Sequence, residues 1–355
     1  MKIQFPVKLF IHASNVHQGG GWSLLYALLE VLPGNLELVA LLDSRMKVPE
    51  DMSEGMQIRR IQPSIIQRLK AEWWLARNVK KDDVVLCFGN LPPWFRLRGH
   101  TLVFLQNKYL IDRVGLVGFP VKSKWRISAE RLWFFLKAKH VNEFIVQTPS
   151  MKAVLASRLK TDVPVHILPF VSNVTGYTRA AAKNESDKNT RYDFLYVASG
   201  DPHKNHRRLV EAWCLLASEG LFPSLCLTIS EKDSADLCFW ISEKKKQYGL
   251  RLENLGLLSH DKIKQQYRQV RALIYPSAFE AFGLPLIEAR QAGLAILAAE
   301  LDYVRDLLDP DQSFDPLSEL SIARAVKRYM GINEQLLPLV DAAGFIKRIT
   351  DNLVK

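Results

Sequence analysis

Apolar runs of strand length alternate with helical patterns along most of the chain. Strand candidates in the first half are VKLFIHA (7–13), LELVALLD (36–43), DVVLCFGN (83–90), TLVFLQN (101–107), EFIVQT (143–148) and PVHILPF (164–170). Helical patterns lie between them over 22–32, 64–79, 124–140 and 149–160. The last has Thr148 as its N-cap and Pro149 at its first position. This alternation predicts βα units around a parallel sheet. It lapses over SNVTGYTRAAAKNESDKNTR (172–191), a polar stretch that reads as a linker or mobile loop. Beyond it, strands at 192–198, 224–230, 252–258, 272–277 and 294–299 alternate with helices at 205–219, 234–248, 261–270 and 285–292. Two further helical patterns, near 317–330 and 335–353, follow them.

The pattern therefore predicts an α/β protein of two doubly wound halves, with any ligand in the cleft at the carboxyl ends of the strands. The divisions are 1–171, a linker at 172–191, 192–334, and a terminal helix at 335–355. The 355 residues are 48% apolar, ample for two cores, with no apolar run of about 18 or more to span a membrane. The start, MKIQFPVKLFIHAS, reads as a strand entering a loop, without the features of a secretory signal. Four widely spaced cysteines fit a reducing, cytoplasmic compartment.

Charge is unevenly spread. Residues 1–180 carry 25 basic and 13 acidic side chains, residues 181–355 carry 23 and 24, and the net charge is +11. Two windows, 56–81 and 108–140, interleave Lys and Arg with Trp and Phe. That mixture favours an anionic membrane surface over nucleic acid. The same windows also fit solvated helix faces whose apolar side lies in the core.

The chemistry concentrates in YPSAFEAFGLPLIEA (275–289). A strand ends there, Pro285 suits the first residue of a helix, and Gly293 suits its end. The free N–H groups around Phe282, Gly283 and Leu284 would attract phosphate, and Gly283 admits a ligand close to the backbone. Glu288, expected on the first helical turn, would repel phosphate but suits the vicinal diol of a ribose. Glu280, before the turn, would face a second hydroxylated group. Two hydroxylated moieties flanking a diphosphate describe a nucleotide sugar.

Glu280-x7-Glu288 within FEAFGLPLIEA resembles the E-x7-E motif of the family 4 retaining glycosyltransferases (glycosyl transferases group 1). The segments LYVASGDPHKNHRRLVEAW (195–213), ELDYVRDLLDP (300–310), FIVQTPSMKAVL (144–155) and GGGW (19–22) are similar to other parts of that family. The resemblance covers most of the chain and implies the GT-B fold, two Rossmann-like domains across a cleft, with a C-terminal helix packing back on the first. It implies Glu288 at the ribose, Glu280 at the sugar hydroxyls, and Lys204 at the diphosphate. Gly19, Gly20 and Gly21 would close around the substrates with the 282–284 backbone. Many relatives carry Arg where this chain has Ser199, and His where it has Gln106 and Asn107, so His203 or Asn205 would assist Lys204. His17, Asn107 and Lys108 are candidates on the acceptor side.

Each feature also has a plainer reading. The glycine run could be a simple turn, Lys204 a solvated cation, and His12 and His17 scaffolding. Asp309 and Asp311 form a bare D-x-D, but in a turn-rich stretch, so no metal and no cofactor is expected. The implied activity is retaining, metal-independent hexosyl transfer from a nucleotide-diphosphate sugar. The acceptor would be a glycan or lipid-linked oligosaccharide of bacterial surface polysaccharide, such as O-antigen, lipopolysaccharide or capsule. Such an enzyme would sit at the inner face of the cytoplasmic membrane. A nucleotide-sugar epimerase or phosphorylase of the same architecture, or a non-catalytic nucleotide-sugar-binding module, remains open.

Overall fold

The computed structural model describes residues 8–31, 37–48, 56–112, 115–116, 118–171 and 190–332. The first domain runs β1 (Leu9–Ala13), α1 (Gly19–Glu30), β2 (Leu38–Asp43), β3 (Met56–Ile61), α2 (Ile65–Asn78) and β4 (Val84–Cys87). It continues through β5 (His100–Phe104), α3 (Val121–Lys137), β6 (Glu143–Val146), α4 (Pro149–Arg158) and β7 (Val165–Ile167). The second runs β8 (Tyr192–Tyr196), α5 (His206–Ser218), β9 (Leu225–Leu227), α6 (Ala235–Tyr248), β10 (Leu252–Asn254) and α7 (His260–Tyr267). Then come β11 (Val270–Tyr275), α8 (Leu284–Gln291), β12 (Ala295–Ala299), α9 (Asp302–Arg305), β13 (Gln312–Phe314) and α10 (Glu319–Tyr329).

The strands form two sheets, ordered β3-β2-β1-β4-β5-β6-β7 and β10-β9-β8-β11-β12-β13, and every pairing in them is parallel. Both begin with the Rossmann order, in which the chain reverses direction beside the first strand. The reversal falls between β1 and β4 in one sheet and between β8 and β11 in the other. Central strands such as LVALLD of β2 are buried along their whole length, as sheets covered on both faces require. One face of the first sheet packs α2, α3 and α4 through Leu75, Phe134 and Met151. The other packs α1 through Leu24, Leu25 and Leu29. The second sheet has a core of its own, with Trp213, Tyr275 and Leu286 among its members.

Several expectations are corrected. Helix α1 begins at Gly19, so the glycine run is its first turn and not a loop before it. Strand β3 (MQIRRI) and the short elements α9 and β13 do not stand out in the apolar pattern. Glu288 is the fifth residue of α8 and belongs to its second turn. Thr148 caps α4 as expected, its hydroxyl oxygen accepting from Met151 N at 3.2 Å. Residues 172–189 of the expected linker and the expected C-terminal helix over 335–355 lie outside the described residues.

Candidate active site

The loops that follow β8 and β11 leave the reversal point of the second sheet side by side. A short 3-10 turn, Pro202–Lys204, ends at Asn205, whose φ of 62° is left-handed. Its backbone is stitched to the β11 loop: the carbonyl of His203 accepts from Ala278 N (2.9 Å) and Ser277 Oγ (3.2 Å). Asn205 Nδ2 donates to the carbonyls of Pro276 (3.1 Å) and Pro316 (2.7 Å), so this side chain builds the loop. The hydroxyl of Tyr196 holds the Lys204 carbonyl at 2.7 Å.

This scaffold brings Lys204 and Glu280 together, with Nζ donating to Oε1 at 2.6 Å. The two side chains retain only 16% and 12% of their exposure. The hydroxyl of Tyr275 donates to the same Oε1 at 2.9 Å. Burial opposes the charge on Glu280, but Lys204, helped by His203, outweighs it and holds the carboxyl below its usual range. Beside the pair, burial and then Lys204 push the imidazole of His203 down. Its Nδ1 is buried without a hydrogen-bond partner among the described residues. Ser199 does not reach this centre; its hydroxyl donates to Asp201 at 2.7 Å.

Gly283 starts α8 at φ 81°. A Cβ there would enter the strained left-handed region and lie 3.1 Å from Leu286 Cδ1. The ring of Phe282 is buried, leaving the backbone of this turn as the polar surface. One turn farther along the helix, Glu288 accepts from Tyr267 Oη at 3.0 Å and lies 3.7 Å from His260 Nδ1. Burial raises its carboxyl above the usual range, and His260 and Tyr267 offset this only in part. Neither Tyr267 nor His260 was singled out from the sequence. Both lie on α7, more than twenty residues from Glu288, and no local spacing links them to it.

The first domain meets this site with its own helix N-terminus. A Cβ on Gly20 would lie 3.1 Å from Leu284 Cδ1, and one on Gly21 would lie 3.4 Å from Gln106 Oε1. The first turns of α1 and α8 therefore face each other across the cleft, and the positive ends of both helix dipoles converge there. Tyr109 packs its ring 4.4 Å from that of Phe279 and 5.4 Å from that of His203. Lys108 Nζ lies 4.8 Å from the Phe279 ring centre and 3.8 Å from Asp112. Asn107 caps the short 3-10 turn Lys108–Leu110, its Oδ1 accepting from Tyr109 N at 3.0 Å. Thr148 Oγ1 and Ser150 N contact Ala281 O and Asp306 Oδ2 at 3.5 and 3.1 Å.

The remaining candidates lie apart. His12 is buried against Ser14 Oγ at 3.2 Å, and burial followed by Arg68 lowers its pKa to about 3. His17 stands 3.9 Å from Asp43. The D-x-D carboxylates are engaged elsewhere, Asp309 with Arg305 at 2.9 Å and Asp311 with Ile296 N at 2.8 Å. Cys87, Cys214, Cys226 and Cys238 are free thiols.

The chain is similar to known proteins in part of its sequence and in its fold. Residues 178–337 match the family model of the glycosyl transferases group 1. The chain is 26% identical over 182 residues to the serotype-specific mannosyltransferase WbdA of Escherichia coli, covering 51% of this chain and 21% of that protein. It is 28% identical over 116 residues to O-antigen chain mannosyltransferase B of Escherichia coli, covering 32% and 30%. It thus spans less than a third of the length of either relative. Among solved structures, the sucrose-phosphate synthase of Thermosynechococcus elongatus superposes with a TM-score of 0.67 at 15% identity, covering 92% of this chain and 90% of that one. Anabaena Alr3699/HepE in complex with UDP and glucose gives 0.64 at 13%, with 92% and 90% covered. The matched residues take in the whole described second domain with Lys204, Glu280 and Glu288; the chain has the GT-B fold, and this half of it is similar in sequence to the glycosyl transferases group 1.

Proposed function

We propose that this protein is a retaining glycosyltransferase. It moves a hexose from a nucleotide-diphosphate sugar to a glycan or lipid-linked oligosaccharide of bacterial surface polysaccharide. The observation that carries the reading is the Lys204–Glu280 pair at 2.6 Å in the loops before α8, with Glu288 one turn along that helix and the first turn of α1 set against Leu284. Support for the donor class comes from similar folds solved with UDP and glucose. Support for the setting comes from partial relatives, one named as a serotype-specific mannosyltransferase and one as an O-antigen chain mannosyltransferase.

In this reading the leaving diphosphate takes the Lys204 ammonium and the N–H groups of the 282–284 turn. These charges meet the negative charge that builds as the glycosyl bond breaks. Glu280, released from Lys204, accepts from sugar hydroxyls, and Glu288 accepts from the ribose diol in place of Tyr267. The acceptor attacks from the face the diphosphate leaves, so the configuration is kept with neither carboxylate as nucleophile. Protein cations and helix dipoles carry the charge stabilisation without a metal. The acceptor suits an enzyme working at the inner face of the cytoplasmic membrane.

The test incubates the protein with a panel of nucleotide sugars and a bacterial lipid extract, reading the product's anomeric configuration by NMR. Transfer with retention, abolished in Glu280→Gln and with a raised donor KM in Glu288→Ala, is the expected result. Inversion would overturn the mechanism. Tight donor binding without transfer would leave a binding module, and epimerised free donor an epimerase.

A further inference from the structure

Helix α3 is apolar on two opposite sides. Ile127 and Phe134 are buried, Phe134 in the core on the first sheet, while Val121, Trp125, Leu132 and Leu136 stand in solvent, Trp125 with 75% of its surface exposed. At 3.6 residues per turn those four outward positions fall within about 60° of arc. They make a stripe along the whole helix. Its neighbour α2 repeats the arrangement: Ala71 and Leu75 are buried, while Ile65, Ile66, Leu69 and Trp73 face outward. The segment 91–99 lies between the two helices and exposes Trp94 and Phe95. Trp94 stacks edge-on against Trp133 of α3 at 5.2 Å, and its N–H reaches Glu72 of α2 at 3.1 Å. These segments are therefore one continuous surface, and an exposed apolar patch this extended marks an interaction site.

Its charge indicates the partner. Residues 65–78, 91–99 and 121–140 hold eleven Lys and Arg against two carboxylates, Glu72 and Glu130. Glu72 is buried and Glu130 half-buried, with Arg126 and Arg68 beside it. Cations stand over the indoles, Arg77 on Trp73 at 3.7 Å and Lys137 on Trp94 at 4.4 Å. A groove in a partner protein would match the apolar stripe alone. Indoles and aliphatic side chains rimmed by Lys and Arg match a bilayer, the apolar groups in the acyl boundary and the cations at anionic headgroups.

We infer that the outward face of α2, 91–99 and α3 docks this protein in the interface of an anionic bilayer. Lys122, Lys124 and Arg126 flank the stripe at the end of α3 where Trp125 enters. That end adjoins the cleft: two residues before Val121, Phe119 lies parallel to the His203 ring at 6.2 Å. Docking here sets the mouth of the cleft at the lipid surface. Resting on the proposed glycosyl transfer, this makes the acceptor one carried by a membrane lipid, presented beside Tyr109 and His203.

Co-sedimentation of the full chain with phosphatidylglycerol–phosphatidylcholine vesicles, and with phosphatidylcholine alone, tests the surface. The protein should sediment only with the anionic vesicles and be released as salt is raised from 0.1 to 0.5 M, roughly the range over which screening sets in. Trp125→Ser with Leu132→Ser, and separately Lys122→Glu with Lys124→Glu, should each weaken retention at least about tenfold. Phe239→Ser, at an exposed aromatic on α6, should leave it unchanged, and unaltered melting temperatures would show that all variants are folded. Absent vesicle binding, or α3 variants that bind like the parent, would overturn the inference. So would a dimer lost in those variants, or retention on single-stranded RNA, if either occurs without vesicle binding. Donor-induced thermal shifts, measured in parallel, report on the proposed transfer separately, because no α3 residue lies at the donor site.

Discussion

At the scale of single residues, the site pairs its own charges, Lys204 with Glu280. Lys204→Ala removes the cation that meets the leaving group in the proposed reaction and strands the Glu280 carboxylate. The rate constant kcat should fall about 10²–10³-fold, with a stability loss of about 3 kcal/mol from the unpaired charge. Adding Glu280→Gln should restore most of the stability by denaturant titration and none of the rate. A double variant as unstable as the single would show that the pair is not what holds the loops. His206, buried with its Nε2 2.8 Å from the Ser199 carbonyl, has a pKa lowered by burial from 6.5 to about 4. The unfolded chain therefore takes up this proton first as pH falls. The stability it contributes is whole above pH 6.5 and is lost progressively toward pH 4, on the order of 3 kcal/mol. His206→Asn should flatten that part of the pH–stability curve, and an unchanged slope would refute the assignment.

At the scale of elements, most of the βα alternation is legible because buried parallel strands write themselves as apolar runs. Strand β3 is not, because it is an edge: MQIRRI exposes Gln57, Arg59 and Arg60, so basic residues break the run. The order of strands is likewise hidden, since it is set by crossovers and not by any local pattern. In the site, Glu280, Glu288 and Lys204 are legible because they lie in a turn and a helix start with strong local signals. Tyr267, Tyr196 and Tyr109 are not, since each reaches its place through tertiary packing. Helix α8 is short, and its start depends on one left-handed glycine. Gly283→Ala should cost more than about 1 kcal/mol in unfolding free energy and weaken donor binding by calorimetry. A variant with parental stability would show that the turn tolerates a side chain.

At the scale of the whole molecule, the two domains meet where Gly20 faces Leu284, Tyr109 packs on Phe279 and His203, Thr148 reaches Ala281 and Ser150 N reaches Asp306, among other contacts. Gly20→Val would wedge two branches into a gap already tight for one carbon. It should lower kcat at least tenfold while leaving donor affinity within about twofold, since the proposed donor-side residues lie in the other domain; equal loss of both would place Gly20 in donor binding instead. The Lys204–Glu280 contact has a consequence that extends to the solvent. A nucleoside diphosphate without its sugar would draw Lys204 away and offer Glu280 no hydroxyl, leaving a buried carboxylate whose affinity for a proton rises. Product binding should then be coupled to proton uptake, while the intact donor, which supplies hydroxyls to Glu280, binds with less. Calorimetry in two buffers of different ionisation enthalpy would read this as a buffer-dependent heat for the product that shrinks for the donor. The molecule would then hold its spent nucleotide more tightly as the medium becomes more acidic.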